Sequence, residues 1–384
     1  MRCTRAVIYG DNLKHNIGVI RSFIKRPQTK LCIAVKADGY GCGAVFTART
    51  ALECGAFCLA VATVDEGIEL RENGISCPIL MLSLCTKDEM ESVVKHNITP
   101  LVFDREYILS FDKAAGRFNE KSKFPVHLAV DTGMGRIGCL PEDAVEAASL
   151  ITRSTHLSLG GVCTHCSSAD GINDEDRIYT KMQFDTFVSA VNTIKAAGIE
   201  PGICHCAASA VLLDHPEMQL DMVRSGIITY GYYAGQINRE YFVAKGTTCE
   251  LEPVMSLESE IVAIRPFRAG KSVSYGRTWV ADRDTDIAVL PIGYADGLLR
   301  HFSPGLTVAI NGKSYSVVGR ICMDQCMVDI GKNNPDVHRW DKAVFFGPKN
   351  SGALQDAEDI ARRTGTIAYE IMTGITKRVP RVIW

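Results

Sequence analysis

A count constrains this chain more than any motif. Between residues 11 and 240, short apolar runs alternate with longer stretches of helical periodicity, and the runs number eight: Leu31–Val35, Cys58–Ala62, Ile79–Leu82, Thr99–Val102, Val126–Val130, Leu159–Cys163, Gly202–Cys206 and Met222–Thr229. Strands alternating with helices imply a parallel sheet, because each parallel crossover needs room for a helix. The intervening helical stretches include Leu13–Phe23, Glu89–His96, Ala144–Ile151 and Met182–Ala197, the last followed by Gly198 at the stop position. Eight such units over about 230 residues fit a (β/α)8 TIM-type barrel, whose usual size is ~250 residues.

After Tyr230-Gly231-Tyr232 the period changes from helical to two. Val254–Ile264, Asp286–Ile292, and Leu306–Ile310 with Ser314–Val318 around Asn311-Gly312 read as strands, with one helical interruption at Leu354–Thr364. The expected architecture is α/β, with a barrel over 11–240 and a mostly-β domain over 241–384. Residues 1–10 join that second domain through a short β-like run, Arg5–Ile8, placed before the Asp11-Asn12 helix-cap signal.

A chain of 384 residues with 46% hydrophobic and 22% charged residues is ordinary globular material, and its formal net charge of −2 is spread along the length. That spread offers no basic face for a nucleic acid, so the expected partner is a small molecule. No apolar run approaches the roughly 18–20 residues of a membrane-spanning helix, so no membrane is expected. The N-terminus lacks the apolar core of a secretory signal, and fifteen cysteines in so large a chain read as reduced thiols. A cytoplasmic location follows as the expectation.

Chemistry-bearing residues gather where strands end. The first strand delivers Lys36 and then a glycine-rich turn with Tyr40. At the catalytic rim of a barrel such a lysine either stays a solvated ammonium or, partly desolvated, forms a Schiff base. Arg136 follows the fifth strand in a second glycine-rich turn, where it either pairs with a neighbouring acid or grips a carboxylate with its planar fork. Arg224 lies within the eighth apolar run, and a charge there demands a partner: an internal carboxylate or the ring nitrogen of a cofactor. Cys163-Thr164-His165-Cys166 and Cys204-His205-Cys206 invite a metal reading, yet alternate strand residues face opposite ways and the spacing matches no zinc cage, so no metal is assigned. His165 reads as a rim hydrogen-bonding residue or a satisfied core histidine, and His205 as packing. In the β domain the polar, glycine-flanked segments around Tyr275, Tyr294 and Met323 each read first as turns.

Taken in order, these segments resemble the alanine racemase family, two-domain enzymes of the fold-type III pyridoxal phosphate class. The likeness rests on A-V-K-A-D-G-Y-G (34–41), V-D-T-G-M-G-R-I-G (130–138), T-H (164–165), M-V-R-S-G-I (222–227), V-S-Y-G (273–276), I-G-Y-A-D-G (292–297), G-R-I-C-M-D-Q (319–325), Tyr369-Glu370 and Arg378-Val379-Pro380-Arg381. It covers nearly the whole chain.

The resemblance implies interconversion of L- and D-alanine with pyridoxal 5′-phosphate as cofactor, supplying D-alanine for cell-wall peptidoglycan. By residue, it implies that Lys36 carries the cofactor and is one catalytic base, while Tyr275 is the other. A tyrosine does this near neutral pH only where cations lower its reference pKa of about 10. Arg136 and the Met323 backbone would hold the substrate, and Arg224 would face the pyridine nitrogen with His165 beside it. Tyr40, Ser209, Gly226, Ile227 and Tyr369 would hold the phosphate, and Asp170, Tyr294, Arg300, Arg320 and Ile367 would line the entrance. Tyr275 and Met323 would come from the second subunit of a head-to-tail homodimer with composite sites.

The chain departs from the family pattern at three places: Ala129 stands where many members carry a carbamylated lysine, Ala208 where an asparagine is usual, and Lys377 where an aromatic is common. Other readings stay open: a racemase of serine or another small amino acid, a decarboxylase of the same fold type (disfavoured by Arg224), or a cofactor-binding regulatory protein without turnover.

Overall fold

A computed structural model describes residues 2–118, 122–303 and 305–384 of the chain, so Met1 of the N-terminal segment lies outside it. In chain order the first nine strands are β1 (Arg5–Ile8), β2 (Lys30–Ala34), β3 (Cys58–Val61), β4 (Ile79–Met81), β5 (Thr99–Val102), β6 (Phe124–Ala129), β7 (Leu157–Cys163), β8 (Ile203–His205) and β9 (Met222–Ser225). Strands β2 to β9 pair in parallel in the order β8-β7-β6-β5-β4-β3-β2-β9. The seam between β8 and β9 is nearly closed, since Asp221 donates its N–H to the Cys204 carbonyl at 3.1 Å and Arg224 to the Ala207 carbonyl at 2.8 Å. All four residues of β3 and all three of β4 are buried, as strands covered by helices outside and side chains inside must be.

The eight runs counted in the sequence are therefore the eight staves. Most boundaries shift by one to three residues, and two shift by four or more. The last stave ends at Ser225 rather than Thr229: Gly226 breaks it, and Ile227–Tyr230 winds into a single 3-10 turn, an apolar buried segment that hydrophobicity alone cannot tell from a strand. The helix expected from Met182 begins at Asp174, where Asn173 caps it by accepting the Asp176 N–H.

The rest of the chain is mostly β. It adds β10 (Met255–Glu260), β11 (Ala263–Phe267), β12 (Ser272–Val273), β13 (Trp279–Val280), β14 (Thr285–Leu290), β15 (Thr307–Ile310), β16 (Lys313–Val318), β17 (Cys326–Asp329), β18 (Lys342–Phe346) and β19 (Arg381–Ile383). Val254–Ile264, read as one strand, is two. Nine of the strands form one sheet in the order β11-β14-β17-β16-β15-β18-β10-β1-β19. The N-terminal strand β1 is inserted in it, antiparallel to β10 with Arg5 opposite Glu258 and parallel to β19 with Ala6 opposite Arg381. Both chain ends are thus stitched into the second sheet. The described residues contain no helix long and apolar enough to cross a membrane.

Candidate active site

A cavity of about 620 Å3 opens at the rim where the barrel strands end. It is lined by Lys36, Tyr40, Arg136, His165, Asp170, Ser209, Arg224, Gly226, Ile227 and Tyr369, together with Ala129 and Ala208. Ten residues singled out from the sequence for one site therefore share one cavity.

Lys36 sits two residues beyond the last residue of β2, on the face that Cys32 and Ala34 turn inward. The chain then does something costly: Ala37, Asp38, Gly39 and Tyr40 run consecutively at φ of 52, 54, 60 and 51°. Left-handed backbone costs a residue with a Cβ roughly 1–2 kcal/mol, and three of the four carry one. The turn is closed by hydrogen bonds from Gly39 N–H to the Val35 carbonyl (2.8 Å) and from Gly41 N–H to the Ala37 carbonyl (2.9 Å). Its effect is to place Lys36 and Tyr40 in the same cavity, with Tyr40 stacked on Tyr230 at 4.6 Å. The Lys36 ammonium is pushed below its ordinary pKa, first by burial and then by Arg136 and Arg224. Burial raises the Tyr40 hydroxyl to about 12, which keeps it a proton-bearing donor.

Arg224, on β9, is 6% exposed, and no acid neutralises it among the described residues. Its guanidinium donates to His205 Nδ1 (2.7 Å), the Thr164 carbonyl (2.9 Å), the Cys206 carbonyl (3.2 Å) and His165 Nδ1 (3.3 Å). An arginine only donates, so both imidazoles accept through Nδ1 and carry their proton on Nε2. The His205 Nε2–H then donates to His127 Nδ1 at 2.8 Å. The histidines are held neutral: burial first, then Arg224, pushes His165 down to about 3 and His127 to about 4. The internal carboxylate considered from the sequence as a partner for Arg224 is not found among the described residues.

Beside it lies a small polar cradle. Gly226 donates its N–H to Ser209 Oγ at 3.0 Å, and a Cβ added at residue 226 would come 2.9 Å from the Tyr40 hydroxyl. The Tyr369 hydroxyl, raised by burial, also faces this cavity, its ring 6.0 Å from that of Tyr40. Hydroxyls and backbone amides around a space that any side chain would fill are a donor set for a phosphate.

Arg136 reaches the open side from a loop shaped by Asp131, whose carboxylate accepts the N–H groups of Gly133 (2.9 Å) and Gly135 (3.1 Å). The loop returns beside β6 at Cys139, and only glycine fits at 138, where φ is 136° and a Cβ would lie 2.3 Å from the Asp131 nitrogen.

Six predicted site residues are absent from the cavity lining. Tyr275 is 68% and Met323 52% exposed on the β domain, and Ile367 is exposed as well. Tyr294 and Arg300 line a separate shallow depression with Leu299 and His301. Arg320 packs near Gly276, its carbonyl accepting the Ser274 hydroxyl at 2.5 Å. The Tyr294 and Met323 segments are joined: Tyr294 and Ala295 donate their N–H groups to the carbonyls of Cys322 and Met323, both at 3.0 Å.

Three residues with a part in the site's geometry escaped the sequence reading. His205 was read as packing; it is fully buried, but it also bonds Arg224. His127 stands behind it and Glu66 behind the lysine turn. For His127 a signal existed, a polar residue at an inward position of an apolar strand; for Glu66 only the helix-capping pattern Thr63-x-x-Glu66 was visible.

The fold and cavity define a class: a (β/α)8 barrel enzyme with a desolvated lysine, a cluster of tyrosine and serine hydroxyls and a buried arginine at the strand ends, joined to a β domain. Comparison with known proteins narrows it. Residues 8–234 match the family described as "Alanine racemase, N-terminal domain" and residues 254–383 the one described as "Alanine racemase, C-terminal domain". The alanine racemase of Treponema denticola is 44% identical over 384 residues, covering 100% of this chain and 98% of that protein. The solved alanine racemase of Clostridium difficile in complex with cycloserine superposes with a TM-score of 0.89 at 34% identity, over 100% of this chain and 96% of that one. That of Bacillus anthracis with bound L-Ala-P gives 0.89 at 31% identity, over 100% and 95%. The chain belongs to the alanine racemase family and is an isomerase.

Proposed function

We propose that this chain interconverts L- and D-alanine using pyridoxal 5′-phosphate attached to Lys36. The observation that carries the reading is Arg224: a buried guanidinium with only neutral protein partners, on the inward face that Lys36 shares, is costly unless something in the cavity accepts from it. A pyridine nitrogen does so, and the Tyr40, Ser209, Gly226, Ile227 and Tyr369 cradle suits the phosphate of the same molecule. When bound, this cofactor supplies an electron sink that acidifies the substrate Cα proton.

The protein's own groups then divide the work. Lys36 moves a proton at Cα on one face, helped by a lowered affinity for its own proton. The partner subunit's Tyr275 serves the other face, since Tyr275 of the same chain is turned to solvent and outside the cavity. Arg136 and the Met323 amide hold the substrate carboxylate. Arg224 would donate to the ring nitrogen while keeping its own protons, and its positive charge would disfavour a proton there. That limits stabilisation of negative charge at Cα and favours prompt return of the proton. Asp170, Tyr294, Arg300, Arg320 and Ile367 frame the entrance in a homodimer with composite sites. The names of the Clostridium and Bacillus complexes, with cycloserine and L-Ala-P, support a small amino-acid substrate.

The barrel is taken as residues 11–240 and the β domain as 241–384 with 1–10. The cysteines, all unpaired among the described residues, suit a reducing cytoplasm, where D-alanine would feed peptidoglycan. Chiral chromatography after incubation with single L-amino acids tests the assignment. D-alanine should form faster than any other product, and Lys36→Ala should abolish it; preferential racemisation of serine would reassign the substrate, and no turnover of any amino acid would favour a regulatory binding protein.

A further inference from the structure

The left-handed turn between Lys36 and Tyr40 needs an external restraint, and two side chains outside it provide one. Arg381 donates through Nε to the Gly41 carbonyl at 2.9 Å, at the turn's end. At its start, Glu66 accepts the Ala37 N–H on Oε1 at 2.7 Å. The other oxygen, Oε2, accepts the N–H groups of Ala62 (2.7 Å) and Thr63 (3.2 Å), while Glu66 N–H donates to Thr63 Oγ1 at 3.3 Å.

A capping box requires only the reciprocal bonds between Thr63 and Glu66. Here one oxygen is left over, and it crosses from the first turn of the helix after β3, Val64–Glu72, to the first residue beyond Lys36. The crossing joins neighbouring staves, since Ala34 of β2 is paired with Ala60 of β3. Ala37, whose N–H is held, is also the first of the four residues in the left-handed region.

We propose that Glu66 is a positioning residue for Lys36 and Tyr40, its carboxylate holding the turn between them in the left-handed form that points both into the cavity. This rests on the reading of Lys36 as the cofactor-bearing lysine. Without the carboxylate, Ala37 and Asp38 relax toward their preferred right-handed backbone, and the lysine and the phosphate-facing tyrosine no longer address one ligand together.

Glycine adopts the left-handed region without penalty, so glycine at 37 should replace the restraint that Glu66 provides. The test compares wild type, Glu66→Gln and Glu66→Gln with Ala37→Gly. The cofactor-free proteins are mixed with pyridoxal phosphate, quenched with borohydride at intervals, and mapped by peptide mass for label on Lys36. Thermal midpoints are recorded alongside. Loss of a charge-assisted hydrogen bond should slow labelling of the single variant by about tenfold or more, with a midpoint close to wild type, and the glycine should restore most of the rate. A Glu66→Gln variant that labels at the wild-type rate overturns the proposal, as does a glycine that restores nothing, which would leave Glu66 a helix cap only. If the glutamine variant fails to fold, Glu66→Asp, too short to reach both loops, takes its place with the same readouts. Absence of label on Lys36 in the wild type would instead refute the reading of the site.

Discussion

Arg224 donates to His205 Nδ1 at 2.7 Å, so a buried cation rests against an imidazole where a carboxylate would be expected. The consequence is a buried positive charge with no acidic partner among the described residues.

Such a site should gain more from the proposed cofactor than its contacts alone suggest. Arg224→Lys keeps the charge but loses the fork that reaches His205, the Thr164 carbonyl and the Cys206 carbonyl at once. Pyridoxal phosphate should bind this variant at least about tenfold more weakly, ~1.4 kcal/mol, read from the rise in thermal midpoint across a cofactor titration.

The neutral histidines behind Arg224 make stability depend on pH. His127 titrates at about 4 in the fold against an ordinary 6.5, through burial and then Arg224. Between those values the unfolded chain binds a proton that the native chain refuses, so the stability is complete above pH 6.5 and drains away as pH falls toward 4. His127 alone accounts for on the order of 3 kcal/mol of that loss. Urea midpoints measured at neutral and mildly acid pH should fall less steeply for His127→Gln than for wild type, with His165 and His205 responsible for the remaining slope.

The loops bearing Tyr294 and Met323 act as one unit because Gly293 lets their backbones touch. A Cβ at 293 would lie 2.2 Å from the Cys322 carbonyl oxygen and 2.5 Å from that of Met323. Gly293→Ala should therefore cost about 1–3 kcal/mol by overpacking and lower turnover further than it lowers cofactor affinity. Chemical denaturation and kcat measured side by side would show it; equal stability with unchanged kcat would mean the two loops are independent.

Much of this fold could be read before any coordinates. The staves were legible because strands buried on both faces are short apolar runs, and eight of them close a barrel. Gly226 shows where that reading fails: the apolar residues after it continue the run while the backbone turns. Lys36, Arg136 and Arg224 were visible because each lies at or close after a strand end near glycines, whereas the proposed phosphate set of Tyr40, Ser209, Gly226, Ile227 and Tyr369 was legible only through the family resemblance. The arrangement of His127, His205 and Glu66 was not, because it depends on register between staves: His127 and His205 meet across 78 positions of sequence. Nor could sequence spacing show that Tyr275 turns away from the cavity its own chain forms.

The proposed composite sites make a sharp prediction for mixed subunits. Lys36→Ala and Tyr275→Phe should each be inactive alone. Random exchange makes half the dimers hybrid, each with one intact site of two, so an equimolar mixture should recover about a quarter of wild-type activity. Sites built within one chain would recover none.

Lys36 is the hinge of the whole reading, and one measurement addresses it directly. The native protein is incubated with pyridoxal 5′-phosphate, reduced with borohydride, digested and mapped by mass. One cofactor-derived group should be fixed per chain, on Lys36. A label on a different lysine, or none, would contradict the assignment.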